Sequence, residues 1–177
     1  MKTLVVVDYQ NDFVTGPLGF PEAEKLEGPI TSKIEEYLAN GDMVVFTKDM
    51  HDADKYPMTQ EGRRLPVPHC VDDKGSAIFG RPAKYCTEEN TVVKDRFGSE
   101  DLPARLFFYQ SQLEQIELCG VVGSMCVLAN AVIMKSNYPE VRVVVDAECV
   151  ASPDREMNEK ALDVMENLQI DVLNRHH

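Results

Sequence analysis

No apolar run in this 177-residue chain approaches the roughly 18–20 residues that a membrane-spanning helix needs. The run near the N-terminus, Leu4-Val5-Val6-Val7, stops at once at Asp8. It is too short for the core of a signal peptide and has no small-residue cleavage site after it. Basic residues are few: 18 Lys and Arg stand against 30 Asp and Glu, a net charge of −12. That excludes the global electrostatic footprint of a nucleic-acid or anionic-lipid binder, and no Lys/Arg run supplies a local one. Tryptophan is absent, and neither an internal repeat nor an interdomain linker is visible. Residues 1–177 are therefore expected to form one domain. Histidine is rare. His176 and His177 end the chain and read as native residues or the stub of a tag, which leaves only His51 and His69 for chemistry. Five cysteines (Cys70, Cys86, Cys119, Cys126, Cys149) form an odd set without an export signal. That favours free thiols and a cytoplasmic location.

What is present is a core-forming chain, 44% hydrophobic, with a regular alternation of elements. Thr3–Val7 and Met43–Thr47 are short β-branched runs that read as strands buried on both faces. Between them Ile30, Ile34, Tyr37 and Leu38 recur at helical spacing, with Gly41 as a stop. Thr91–Val93 is a third strand, followed by a helix capped by Ser99 and carrying Leu102, Leu106, Tyr109 and Leu113. Gln115–Gly120 and Val141–Asp146 are strands. Met125–Lys135 between them is expected to be a helix buried all round, with Ser124 as its N-cap. Ser152-Pro153-Asp154 predicts a helix start, with Ser152 as cap and a stripe of Met157, Ala161, Val164, Met165 and Leu168. Ile170–Leu173 closes the pattern as a last strand. This order predicts an α/β fold: three α-β-α layers, Rossmann-like, with a mainly parallel sheet of about six strands. Residues 51–90 break the alternation. They are polar and Pro-rich, and long aperiodic connections of this kind are often functional.

In parallel sheets ligands bind beyond the carboxyl ends of the strands, which directs attention to Asp8, Asp49, Lys94 and the stretch from Val121 to Cys126. A cap at Ser124 puts Cys126 at the second helical position, where free N–H groups and the positive dipole end stabilise a thiolate. The bland alternative is a buried structural thiol. Asp8 follows a buried run directly, where a carboxylate either caps a turn or serves as a base in a cleft. Lys94 ends its strand in the same way, as a solvated lysine or as a functional one. The three are complementary: an Asp can take a thiol proton and an ammonium can steady the thiolate. Asp49-Met50-His51 and His69 offer one carboxylate and two imidazoles, a partial set for Zn²⁺, Fe²⁺ or Mn²⁺ or else ordinary loop residues. Glu61 lies between them and could supply a fourth ligand.

These motifs resemble the isochorismatase-like cysteine hydrolases, and within them the nicotinamidase branch. Val7–Phe13 is similar to the V-D-x-Q-N-D-F opening whose Asp is the acid/base, which implies that role for Asp8. The K-x-x-F-x-S stretch falls on Lys94, Phe97 and Ser99, and the nucleophile turn on Gly120–Val127, with the nucleophile at Cys126. The resemblance implies a cis peptide and oxyanion donors around Val121–Val122. It also implies one divalent metal, zinc first and iron or manganese as alternatives, on Asp49, His51 and His69, with Glu61 or water completing the shell. Phe13 remains to stack on a substrate ring. The implied reaction is hydrolysis of nicotinamide to nicotinate and ammonia through a thioester on Cys126, within pyridine nucleotide salvage. The rivals are a hydrolase for another small amide, carbamoyl or ureido compound, a vinyl-ether hydrolase, and a non-catalytic member of the fold. The implied partner is a small-molecule amide, with no nucleic acid and no membrane. A homo-oligomer is compatible with the fold, but nothing in the sequence locates an interface. Three departures stand out: Gly123-Ser124 replaces the usual Thr-Asp, Lys55 stands where many nicotinamidases have a second His, and Trp is missing from the expected pocket wall near Pro66 and Val67.

Overall fold

The computed structural model describes residues 1–175; His176 and His177 lie outside the described residues. Six strands, β1 (Lys2–Val7), β2 (Met43–Asp49), β3 (Thr91–Lys94), β4 (Gln115–Val121), β5 (Arg142–Ala151) and β6 (Asp171–Leu173), form one sheet in the order β3-β2-β1-β4-β5-β6. Every neighbouring pair is parallel. The β-branched runs make this arrangement possible because period-2 alternation sends apolar side chains to both faces. Leu4 and Val6 of β1 join Ile30, Ile34 and Tyr37 of the helix Glu27–Ala39 on one side. Val5 and Val7 join Leu102, Leu106, Met134 and Leu162 on the other. The helices Asp101–Leu106, Leu128–Asn137 and Arg155–Asn167 cover that second face. The three-layer α/β expectation holds. Among the described residues no helix is long and apolar enough to cross a membrane.

Several local expectations need correction. β5 runs on to Ala151 instead of ending at Asp146. Asp146 Oδ1 accepts from its neighbour Glu148 N at 3.0 Å, and a register shift lets Val150 and Ala151 pair with Gly120 and Val121. Ser152 does not cap the last helix. Asp154 does, accepting from Met157 N, and the buried face runs through Ala161, Leu162 and Met165 while Met157, Val164 and Leu168 are exposed. Ser124 does not cap the helix after β4 either. A wide turn, Gly123–Val127, precedes the helix proper, with Val122 at its cap position and Val127 N and Leu128 N reaching back five residues to Val122 O and Gly123 O. Nor is that helix buried all round: Met125 is exposed, and Leu128, Val132 and Ile133 are half-buried. Segment 51–90 contains five short helical turns, Tyr56–Met58, Gln60–Arg64, Asp73–Ser76, Arg81–Tyr85 and Glu88–Asn90.

Candidate active site

The strand order reverses between β1 and β4, and the crevice at that point lies beyond their carboxyl ends. Asp8 leaves β1 with φ of 46°, in the left-handed region that few non-glycine residues adopt. Its N–H donates to Thr47 O, and the Thr47 hydroxyl donates to its Oδ1 at 2.7 Å. Lys94, the last residue of β3, places Nζ 2.6 Å from Asp8 Oδ2, 3.5 Å from Asp49 Oδ1 and 3.9 Å from Cys126 Sγ. One ammonium thus faces two carboxylates and a thiol, all buried. Gly120 lets β4 pass close to β1: with φ of 112°, a Cβ there would meet Val7 O at 2.1 Å. A cis peptide joins Val121 and Val122 just before the cysteine turn.

Burial pushes the Asp8 carboxyl up, and the Lys94 ammonium offsets only part of that rise. Burial works against the Lys94 ammonium, but the Asp8, Cys126 and Asp49 charges outweigh it and hold the amine protonated. Burial also drives the Cys126 thiol well above its ordinary value; the Asp8 charge adds to this and Lys94 opposes it. Cys126 is the fourth residue of its turn, not the second, and is enclosed. A thiolate stabilised at rest by the helix end is therefore not what the fold provides. The arrangement instead keeps a neutral thiol beside a carboxyl whose affinity for protons is raised.

The second cluster adjoins the first through Asp49. One ligand atom each from Asp49, His51 and His69 lies within 4.8 Å of the others. Asp49 Oδ2 is 3.0 Å from His51 Nε2 and 3.5 Å from His69 Nε2. The backbone brings the two histidines together, since His51 N donates to Cys70 O. Val67 O accepts from His69 Nδ1 at 2.9 Å, which leaves Nε2 directed at Asp49. Burial raises Asp49, but hydrogen bonds from His51 and His69 and the Lys94 charge hold its carboxyl well below the ordinary range. An ionised carboxylate and two imidazoles suit a divalent cation of the zinc, iron or manganese type. Glu61 stands at the rim, with Oε1 3.7 Å from His69 Nε2. Phe13 packs its ring 5.3 Å from that of His69. Lys55 pairs with Asp52 at the surface and does not enter the site.

Three contributors escaped the sequence reading. Thr47 holds Asp8. Gln10 latches the Asp49 backbone, accepting from Asp49 N and donating to Asp49 O. Tyr56 is buried, packs edge-on against both histidines at 4.9 and 5.2 Å, and donates its hydroxyl to Leu65 O. An aromatic between the two histidines, in an otherwise polar stretch, was the available signal for Tyr56.

The isochorismatase domain family matches residues 2–176. The chain is 31% identical to an isochorismatase family protein of Bacillus subtilis, PncA, covering 94% of each chain. It is 26% identical to the nicotinamidase/pyrazinamidase of Mycobacterium tuberculosis, with 98% of both chains covered. The crystal structure of nicotinamidase PncA from Bacillus subtilis superposes with a TM-score of 0.82 at 31% identity, over 98% of this chain and 99% of that one. The chain belongs to the isochorismatase family. Its class is that of hydrolases acting on a linear amide.

Proposed function

We propose that the chain hydrolyses nicotinamide to nicotinate and ammonia with Cys126 as nucleophile. The observation that carries this reading is the shared wall between the two clusters. Lys94 touches Asp8, Cys126 and Asp49, so the reacting thiol and the Asp49-His51-His69 group are joined through one ammonium. In this scheme Asp8 takes the proton from Cys126 Sγ as the sulfur attacks the amide carbon. The N–H groups of Val122 and Cys126 receive the developing oxyanion. Asp8 then passes the proton to the departing nitrogen, the C–N bond breaks and ammonia leaves. Asp8 next draws a proton from water, which attacks the thioester and frees Cys126. Lys94 keeps both carboxylates and the sulfur in register throughout. Phe13 offers a ring face for a planar substrate.

Asp49, His51 and His69 would hold a divalent metal, with Glu61 at the rim, and zinc is the first choice. Such an ion would supply a fixed point for a ring nitrogen, an orienting role rather than a hydroxide-generating one. We place the enzyme in cytoplasmic pyridine nucleotide salvage. The test is ammonia release from a panel of nicotinamide, carbamoyl and ureido compounds. Nicotinamide should lead in kcat/KM. A carbamoyl or ureido compound that leads by tenfold or more would move the substrate assignment to that class and leave the cysteine mechanism standing.

A further inference from the structure

The nucleophile turn is held from behind by a relay that the chemistry above does not use. Ser124 N, two residues before Cys126, donates to Ser152 Oγ at 2.9 Å. The Ser152 hydroxyl in turn donates to Asn158 Oδ1 at 2.8 Å. Ser152 follows β5 and is buried; Asn158 lies in the first turn of the last helix. The same Asn158 oxygen occupies the space beside Gly123: a Cβ on that glycine would meet Oδ1 at 2.3 Å, and Ser152 Oγ at 3.2 Å. Gly123 has no positive-φ requirement, so the missing side chain answers to this packing and not to backbone conformation.

We infer that Ser152 and Asn158 are positioning residues that fix the Gly123–Val127 turn, and through it the place of Cys126 Sγ beside Lys94. The turn needs such a brace. Its side-chain cap is absent, the bonds from Val127 N and Leu128 N to Val122 O and Gly123 O are the wide five-residue kind, and its outer residue Met125 is exposed. The Ser124 amide bond reaches the connection between β5 and the last helix, so it resists a hinge movement that the turn's own bonds would permit. Because the hydroxyl both accepts and donates, Asn158 sets its orientation. Losing the Asn158 acceptor frees the hydroxyl to rotate away from Ser124.

The inference rests on Cys126 being the nucleophile, but its test does not need nicotinamide as substrate. The variants are Asn158→Ala, Ser152→Ala, Gly123→Ala and the double Gly123→Ala/Asn158→Ala, with exposed Lys160→Ala on the same helix as control. The first readout is the rate of Cys126 alkylation by iodoacetamide, followed by peptide mass. The second is kcat and KM on whichever panel amide is turned over, and the third is Tm. Asn158→Ala and Ser152→Ala should each slow alkylation and kcat by about tenfold, the size of one lost buried hydrogen bond. KM should stay within twofold, and Lys160→Ala should match the wild type. Gly123→Ala should be slowed in the wild-type background through the Asn158 contact. The double variant should be no slower than Asn158→Ala alone. Alkylation that is unchanged or faster in Asn158→Ala overturns the proposal, even with a lower Tm, because the relay would then be only a structural staple. Strictly additive losses in the double variant overturn the Gly123–Asn158 contact. Slowed alkylation without nicotinamide turnover in the wild type keeps the relay and removes the substrate assignment.

Discussion

Replacing Lys94 by Met tests the electrostatic design of the site. The Lys94 and Asp8 side chains are 3% and 0% exposed, so neither charge is relieved by water. Met fills similar volume but leaves Asp8 and Asp49 facing each other without the ammonium 2.6 and 3.5 Å away. Breaking a buried pair by removing one partner costs about 3–5 kcal/mol. For a chain of this size each kcal/mol moves Tm by about 2–4 °C, so the expected fall is about 6–20 °C. The loss should also depend on pH. Burial already raises the Asp8 carboxyl above its ordinary 3.8, and without Lys94 it rises further. A carboxyl raised in the folded state favours folding in its protonated form and loses that contribution as pH rises through its folded value. The variant's deficit should therefore be smaller at about pH 5 than at about pH 8. Thermal unfolding at the two pH values, followed by circular dichroism, measures this. A fall below about 2 °C that is the same at both would refute the picture of a buried, mutually compensated cluster.

Further outcomes follow from the neighbouring groups. His51→Ala should lose its bound divalent metal in elemental analysis and raise KM at least tenfold; full metal content would remove His51 from the ligand set. Lys33→Met should destabilise by about 3–5 kcal/mol in urea titration, because the Lys33 ammonium is paired with both buried carboxylates, Glu117 and Asp146, at 2.6 and 2.8 Å. A cost below about 1 kcal/mol would show that the neutral hydrogen bonds to these acids, from Tyr37, Asn174 and Glu148 N, suffice without the ammonium. Burial raises Asp146, but hydrogen bonds from Lys33, Asn174 and Glu148 outweigh it and hold the carboxyl below its ordinary 3.8. Its share of stability should be present above that value and lost as pH falls further, and Asp146→Asn should flatten the acid limb of a stability–pH curve. An unchanged acid limb would exclude Asp146 as its source.

How far the sequence disclosed this protein depends on how local each signal is. β1, β2, β4 and β5 were visible because buried parallel strands are runs of Val, Ile and Leu, whatever their neighbours, and the edge strands β3 and β6 keep a shorter version of the same pattern. Asp8, Asp49 and Lys94 stood out as charges that end such runs, and Asp49-x-His51 with His69 carried metal-ligand chemistry in its residue types. Helix starts were less legible. Ser152 and Ser124 are good cap residues, but the Ser152 hydroxyl accepts from Ser124 N and donates to Asn158, so Asp154 caps one helix, and Val122 opens the other. Thr47 reads as another β-branched core residue. Only the Val7–Thr47 register brings its hydroxyl to Asp8. Tyr56 and Gln10 act through contacts across long loops, which no local periodicity records. The Gly123-Ser124 departure became interpretable only when Asn158 was found in the space beside it.

The most direct test compares ammonia release from nicotinamide by the wild type and by Cys126→Ala, with folding of both checked by Tm. The account predicts release by the wild type, loss of at least about 10³-fold in the variant, and retained nicotinamide binding by calorimetry. Release by a folded Cys126→Ala protein at the wild-type rate would contradict the cysteine mechanism.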